Sequence, residues 1–254
     1  MDIQTDYQGN IAIIELRRPP HNYFDVALLT QIADALESID NNETVRCTVL
    51  VAQGKSFCAG ANFGASVGGN GVRVNTAPAL YAQALRVFAC RKPIVAGVQG
   101  AAIGGGLGLA LAADFRVTCP EARFAANFTR LGFHPGFGLT VTLPELVGRN
   151  TAELMFYTSR RLSGTEAVAK GLANVLVEAD QLKEKTIELA NEIASCSPLG
   201  LLATRESMRA GLVERVRRAI DRELQEQIRL RVTDDFAEGV ASVAQRRNAN
   251  FIGR

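Results

Sequence analysis

The stretch K-P-I-V-A-G-V-Q-G-A-A-I-G-G-G-L-G-L-A-L-A-A-D-F, residues 92–115, decides how the rest of the chain is read. Ile94 to Val98 is a short apolar run behind Pro93, which fits a buried strand. Gly104-Gly105-Gly106 then opens a run of small residues to Ala113, compact enough for a short helix in the core. Missing side chains let a ligand approach the backbone, and amides at a helix start point outward with the positive end of the dipole.

A second glycine turn, Gly54 to Phe63, follows another strand-like run, Val45 to Val51. Two such turns side by side can aim two N–H groups at one oxygen, which is the geometry of an oxyanion hole. Neither turn is a nucleotide fingerprint: position 109 is Leu, so G-x-G-x-x-G is incomplete, and no G-x-x-x-x-G-K-[ST] occurs. A tight turn with no ligand is the plainer reading of either run taken singly.

Working outward, Ile11 to Leu16 reads as a strand ended by Pro19-Pro20. Asp25 reads as the N-cap of a helix stepping through Val26, Leu29, Ala33, Leu36 and Asp40. The glycines at 64, 68, 69 and 71 suggest a mobile surface loop, and a helix carrying Leu80, Ala84, Leu85 and Phe88 must stop before Pro93. Strands separated by helices imply mostly parallel pairing and an α/β class. After Leu139 the pattern turns helical: 139–147, 151–157, 164–170, 182–194, 198–209, 213–231 and 235–247, with Ser197-Pro198 as an N-cap followed by proline at the first helical position. The division expected is an α/β core over 1–195 and a helical C-terminal region over 196–254.

Composition narrows the classes. The 254 residues are 47% hydrophobic, enough for a substantial core without disulfides or metals. Five cysteines with no CxxC pair argue against a disulfide framework or structural zinc and for a reducing, cytoplasmic setting. His21 and His134 are too few for a His-rich metal site, and no stretch reads as a membrane span. The net charge of +2 arises beyond Leu201, where 11 Arg meet 8 acidic residues. There Glu214, Arg215, Arg217, Arg218, Asp221, Arg222, Glu223, Glu226, Arg229 and Arg231 alternate as on a salt-bridged exposed or subunit-facing helix, so no nucleic-acid partner is expected.

Taken together, F-C-A-G-A-N-F (57–63), the 92–115 stretch, F-A-A-N-F-T-R-L-G-F-H-P-G-F-G-L-T-V-T-L-P-E-L-V-G (124–148), R-L-S-G-T-E-A-V-A-K-G-L-A-N-V-L (161–176) and D-D-F-A-E-G-V-A-S-V-A-Q-R-R-N-A-N-F (234–251) resemble the crotonase superfamily, the enoyl-CoA hydratase/isomerase group. The resemblance implies a crotonase-like spiral of ββα units with a helical C-terminal trimerisation region. It implies a homotrimer or dimer of trimers acting on an acyl-CoA, with no permanently bound cofactor and the substrate carried as its coenzyme A thioester. By matching position, the amides of Ala61 and Gly105 would hold the thioester oxygen, while His21, Asn22, Ala59, Asn62 and Phe63 fall where relatives wrap CoA. The terminal helix, through Phe236 or Arg246 and Arg247, would cover the CoA of a neighbouring subunit.

The departures shape the expected reaction. Hydratases of this group carry two glutamates that handle water, and here those places are Gly108 and Phe128. The acid of double-bond isomerases and the aspartate of aryl-CoA dehalogenases fall at Gly136, within Pro135-Gly136-Phe137-Gly138. A positioned acid or base contributes roughly 10² to 10⁴ in rate, so the expectation is an isomerase or decarboxylase that stabilises a thioester enolate, not an efficient hydratase. The alternative is a non-catalytic acyl-CoA binder. Residues 127–136 are locally similar to decarboxylases of polyketide branching, and His134 is the expected proton donor or base, against the reading of a solvent-facing or backbone-bonded imidazole. Asn62 is expected to orient its loop, Tyr81 to pack in the core, and Cys58 and Cys90 to be buried small residues.

Overall fold

A computed structural model describes residues 1–61 and 76–254. The chain opens with β1 (Ile3–Gln8) and β2 (Ile11–Leu16), an antiparallel hairpin in which Ile3 faces Leu16. α1 (Val26–Asp40) starts where Asp25 accepts from the Leu28 amide at 2.8 Å, and buries Leu28, Leu29, Ile32, Ala33, Leu36 and Ile39. β3 (Cys47–Ala52), α2 (Ala77–Ala89) and β4 (Ile94–Val98) follow, and all five residues of β4 are buried. β5 (Ala101–Ile103) leads directly into α3 (Gly105–Ala112), then β6 (Phe115–Thr118) and β7 (Arg123–Ala125).

The remainder is mainly helical: α4 (Leu139–Val147), α5 (Arg149–Thr158), β8 (Arg161–Ser163), α6 (Gly164–Ala169), β9 (Val175–Leu176), α7 (Leu182–Ala194), α8 (Pro198–Met208), α9 (Leu212–Leu230) and α10 (Asp234–Ala244). Strands β1-β2-β3-β4-β6-β9 form one sheet, parallel beyond the first hairpin, and β5-β7-β8 form a smaller second sheet. Mostly parallel strands joined through helices, with a helical C-terminal part, fit the expected α/β spiral.

Six strands lie where no strand is expected from the sequence. β1 is polar and half exposed, and its pairing with β2 makes it an edge strand; β6 has four residues and β5, β7, β8 and β9 three or fewer, and all five pair with strands distant in sequence. Ser197 stands at the start of α8 as expected, but its side chain makes no capping bond there; Pro198 alone marks the start. A capping box instead starts α6, where Ser163 and Glu166 satisfy each other's amides.

One core runs through both halves. Val216, Ile220 and Phe236 from the C-terminal helices pack in the same cluster as Phe24, Leu107 and Phe137. Behind α3, Arg116 is 1% exposed and donates from Nε to the Leu172 carbonyl and from Nη1 to the Ala113 carbonyl, each at 2.7 Å. Burial pulls its guanidinium down to about 10, which leaves it a cation at neutral pH.

The expected salt-bridged helix is α9: Arg217 and Arg218 pair with Glu214, and Arg222 and Arg229 with Glu226. Glu223 departs from that picture. It is fully buried and accepts from the amides of Gly138 (2.8 Å) and Thr140 (3.0 Å) and the Thr140 hydroxyl (2.6 Å), fixing the start of α4. The glycine-rich run at 64–71 lies outside the described residues.

Candidate active site

The two glycine turns meet. The Cys58 amide donates to Ala101 O at 2.9 Å and the Ile103 amide to Cys58 O at 3.1 Å, stitching the first turn along β5. Gly60 has φ +84°, and a Cβ there would lie 2.7 Å from Ile103 O and 3.7 Å from the Gly105 nitrogen. No side chain fits that approach, so glycine is what lets the 59–61 turn lie against the start of α3. Gly104 caps α3 at φ +57°, with its own amide spent on Ala125 O at 2.8 Å.

Ala59, Ala61 and Gly105 all line one cavity of about 380 Å³, a size ordinary for a small-molecule site. Among the described residues, neither the Ala61 nor the Gly105 amide donates to a protein acceptor. The Phe24 ring lies against Gly105, leaving no room for a side chain there. Tyr23, Phe24, Phe128, Phe133 and Phe137 give the cavity its aromatic wall, and α10 closes it with Val240, Val243 and Ala244.

Other expected site residues fall differently. His21 is exposed and stacks on Tyr23 with centroids 5.1 Å apart, while its carbonyl accepts from the Ala59 amide at 2.9 Å. Asn22 is fully buried; its carboxamide accepts from Arg18 N and donates to Gln53 O and Ser56 O, so it ties the strand ends together. Neither lines the cavity; their neighbours Tyr23 and Phe24 do. Asn62 and Phe63 lie outside the described residues. The His134 ring is also off the lining, with Nδ1 2.8 Å from Pro135 O, and it is the His134 carbonyl that turns inward to accept from Gln227.

The positions assigned to carboxylates are filled by other groups. A Cβ at Gly108 would lie 2.6 Å from the Phe137 ring, and one at Gly136 would overlap the Tyr81 hydroxyl. Tyr81 does more than pack: its hydroxyl donates to Gln227 Oε1 at 2.7 Å in the cavity wall, and Gln227 Nε2 donates to His134 O at 3.0 Å. Burial, with Glu223 nearby, pushes the phenol above its ordinary range and keeps it protonated. Cys58 and Cys90 are buried as expected, and burial pushes their thiols up to about 12 and about 11. They are inert at neutral pH.

Sequence reasoning did not reach Tyr23, Phe24, Asn127 or Gln227 as lining residues. The signal for Gln227 was its spacing from Val216, Ile220 and Glu223, which sets all four on the buried face of α9. In α10, Phe236 is buried against Phe133 of its own chain, with centroids 4.8 Å apart, Arg247 pairs with Glu238, and Val240, Val243 and Ala244 face the cavity. The terminal helix therefore walls its own chain's cavity.

The sequence pattern of the family described as enoyl-CoA hydratase/isomerase matches residues 6–254. The chain is 30% identical over 256 positions to the crotonyl-CoA hydratase of Syntrophomonas wolfei, covering 100% of this chain and 98% of that protein. It is 34% identical over 203 positions to the carnitinyl-CoA dehydratase of Salmonella typhi, covering 80% and 78%. The crystal structure of an enoyl-CoA hydratase/isomerase from Pseudoalteromonas atlantica superposes with a TM-score of 0.89 at 26% identity, over 99% of this chain and 100% of that one.

Proposed function

The chain belongs to the enoyl-CoA hydratase/isomerase family, and from that premise we propose that it binds an acyl-CoA thioester and stabilises the enolate of its acyl group without activating water. The observation that carries this reading is the lining itself. Ala61 and Gly105, whose amides have no described protein acceptor, line a cavity whose described lining holds no Asp, Glu, His, Lys or Cys. Residues 62–75 contain none of these types either, so this chain has no ordinary general base to bring from that segment.

With the thioester oxygen between the two amides, negative charge arriving on it meets two donors and the N-terminal end of α3. Removing one such donor typically costs about 2.7 to 4 kcal/mol of barrier. Hydration needs a base to deprotonate water as it attacks, and Gly108 and Phe128 stand where that chemistry is expected.

Decarboxylation asks least of such a site. In a malonyl-type thioester the bond from Cα to the carboxyl carbon breaks and carbon dioxide leaves. Its electron pair moves onto the thioester carbonyl as an enolate held by the amides, and Cα then takes a proton from water as the carbonyl re-forms. Double-bond isomerisation needs a group to carry a proton between carbons, and the His134 ring lies outside the lining. Decarboxylation is therefore the reading carried forward. A second reading, a binder that performs no reaction, rests on the same absence of acid and base among the described lining residues.

Incubation with malonyl-, 3-oxoacyl- and enoyl-CoA thioesters, followed by mass spectrometry, separates the readings. Loss of carbon dioxide from a malonyl-type thioester is expected. Gain of water by crotonyl-CoA as the dominant reaction overturns the proposal, and binding without any product establishes the non-catalytic reading. The proposal extends to a trimer or dimer of trimers, supported by Leu199 (79% exposed), Met208 (81%) and Val232 (86%) on the C-terminal region, and checked by solution mass.

A further inference from the structure

Three of the six polar side chains on the described cavity wall are already engaged. The Tyr81 hydroxyl is spent on Gln227, the Gln227 amide on Tyr81 and the carbonyls of His134 and Pro135, and the Arg231 guanidinium lies 5.4 Å from the centre of the Phe133 ring. Of the other three, Tyr23, Thr76 and Asn127, it is Asn127 that stands beside the start of α3. Among the described residues its carboxamide has no hydrogen-bond partner, yet it lines the cavity. Its Oδ1 lies 3.5 Å from where a Cβ on Gly104 would stand, beside the start of α3.

A half-buried carboxamide with no described partner is open to a ligand group entering the cavity. Its place beside Gly104, the residue before the Gly105 amide, puts it on the side of the cavity where the acyl carbons follow the thioester carbonyl. The surroundings favour a hydrogen-bond acceptor there: the positive end of α3 and Arg231 border the cavity, and the described lining residues include no carboxylate, the nearby Glu223 being spent on the Gly138 and Thr140 amides. We propose that Asn127 is the specificity-determining residue of the site, donating from Nδ2 to an acceptor oxygen on the third acyl carbon. The substrate class is then an acyl-CoA with a carboxylate or ketone oxygen at that carbon, the carboxylate held most tightly. This inference rests on the acyl-CoA reading above and deepens it.

Calorimetric titration of the full chain with malonyl-CoA, acetoacetyl-CoA, 3-hydroxybutyryl-CoA and butyryl-CoA tests it, using wild type, Asn127→Leu and Asn127→Asp. Wild type is expected to bind malonyl- and acetoacetyl-CoA about tenfold more tightly than butyryl-CoA, the worth of one partly exposed hydrogen bond. Asn127→Leu should abolish that preference while leaving butyryl-CoA affinity intact, and this also shows that the variant folds. Asn127→Asp should reject malonyl-CoA most strongly. If all thioesters bind but Asn127→Leu shifts them equally or not at all, Asn127 does not read the acyl group. A preference for 3-hydroxybutyryl-CoA over acetoacetyl-CoA overturns the acceptor-oxygen assignment. If no thioester binds to wild type, it is the acyl-CoA reading that fails.

Discussion

The cavity has two walls built on different principles. One, formed by the 59–61 turn and residues 104–106, offers backbone alone and tolerates no side-chain growth: a Cβ at Gly106 would overlap the Cys58 carbonyl, and one at Gly60 would press on Ile103 O. The other, formed by α9 and α10, offers side chains such as Gln227, Arg231 and Val240, with solvated ion pairs behind them. On the first wall fold and chemistry are the same atoms, so a change damages both. On the second they are separable, so selectivity can vary while the fold stands.

The sharpest way to break that contrast is Gly106→Ala. Neither α3 nor the Cys58 carbonyl is free to move, and the variant should lose about 3 kcal/mol or more in urea denaturation. If it keeps wild-type stability, the first wall is looser than its spacing implies. Gly60→Ala strains a backbone at φ +84° and moves the two amides apart. Turnover of the thioester identified in the panel should fall about 10²- to 10³-fold, measured as kcat.

At the second wall and the residues that contact it the expected effects are smaller. Tyr81→Phe leaves Gln227 Oε1 buried without its donor and should cost about 1 to 2 kcal/mol in thermal or urea unfolding. His134→Ala, with its ring off the lining, should leave turnover at the wild-type level; a large loss would show that the imidazole reaches substrate. Arg229→Ala should leave the unfolding midpoint unchanged, because Glu226 keeps its pair with Arg222 and the guanidinium removed is itself mostly in solvent.

How far each wall was legible in the sequence follows the same contrast. Glycine at 60, 104, 105 and 106 has few physical uses other than close backbone approach, so the first wall could be read from residue type and order. The second wall depends on which face of α9 turns inward. Glu223 and Gln227 share the register of Val216 and Ile220, yet charge alternation alone made Glu223 look exposed. Asn127 stood within a quoted motif, but whether its carboxamide finds a partner is settled only by residues distant in sequence, which no local pattern reports. β1 was missed for a related reason: a polar segment becomes a strand when β2 offers it an edge.

Arg116 has a consequence beyond satisfying the carbonyls at the end of α3. It is a permanent positive charge at one end of a helix of eight residues whose other end opens on the cavity. Eight residues span about 12 Å, and across that distance, at an effective dielectric constant of about 20, a cation still favours a new negative charge by about 1 kcal/mol. Because it is sealed from water, salt screens it little. The field in the cavity is thus set partly by a residue that does not line it, one whose donors also hold buried carbonyls at the far end of the helix.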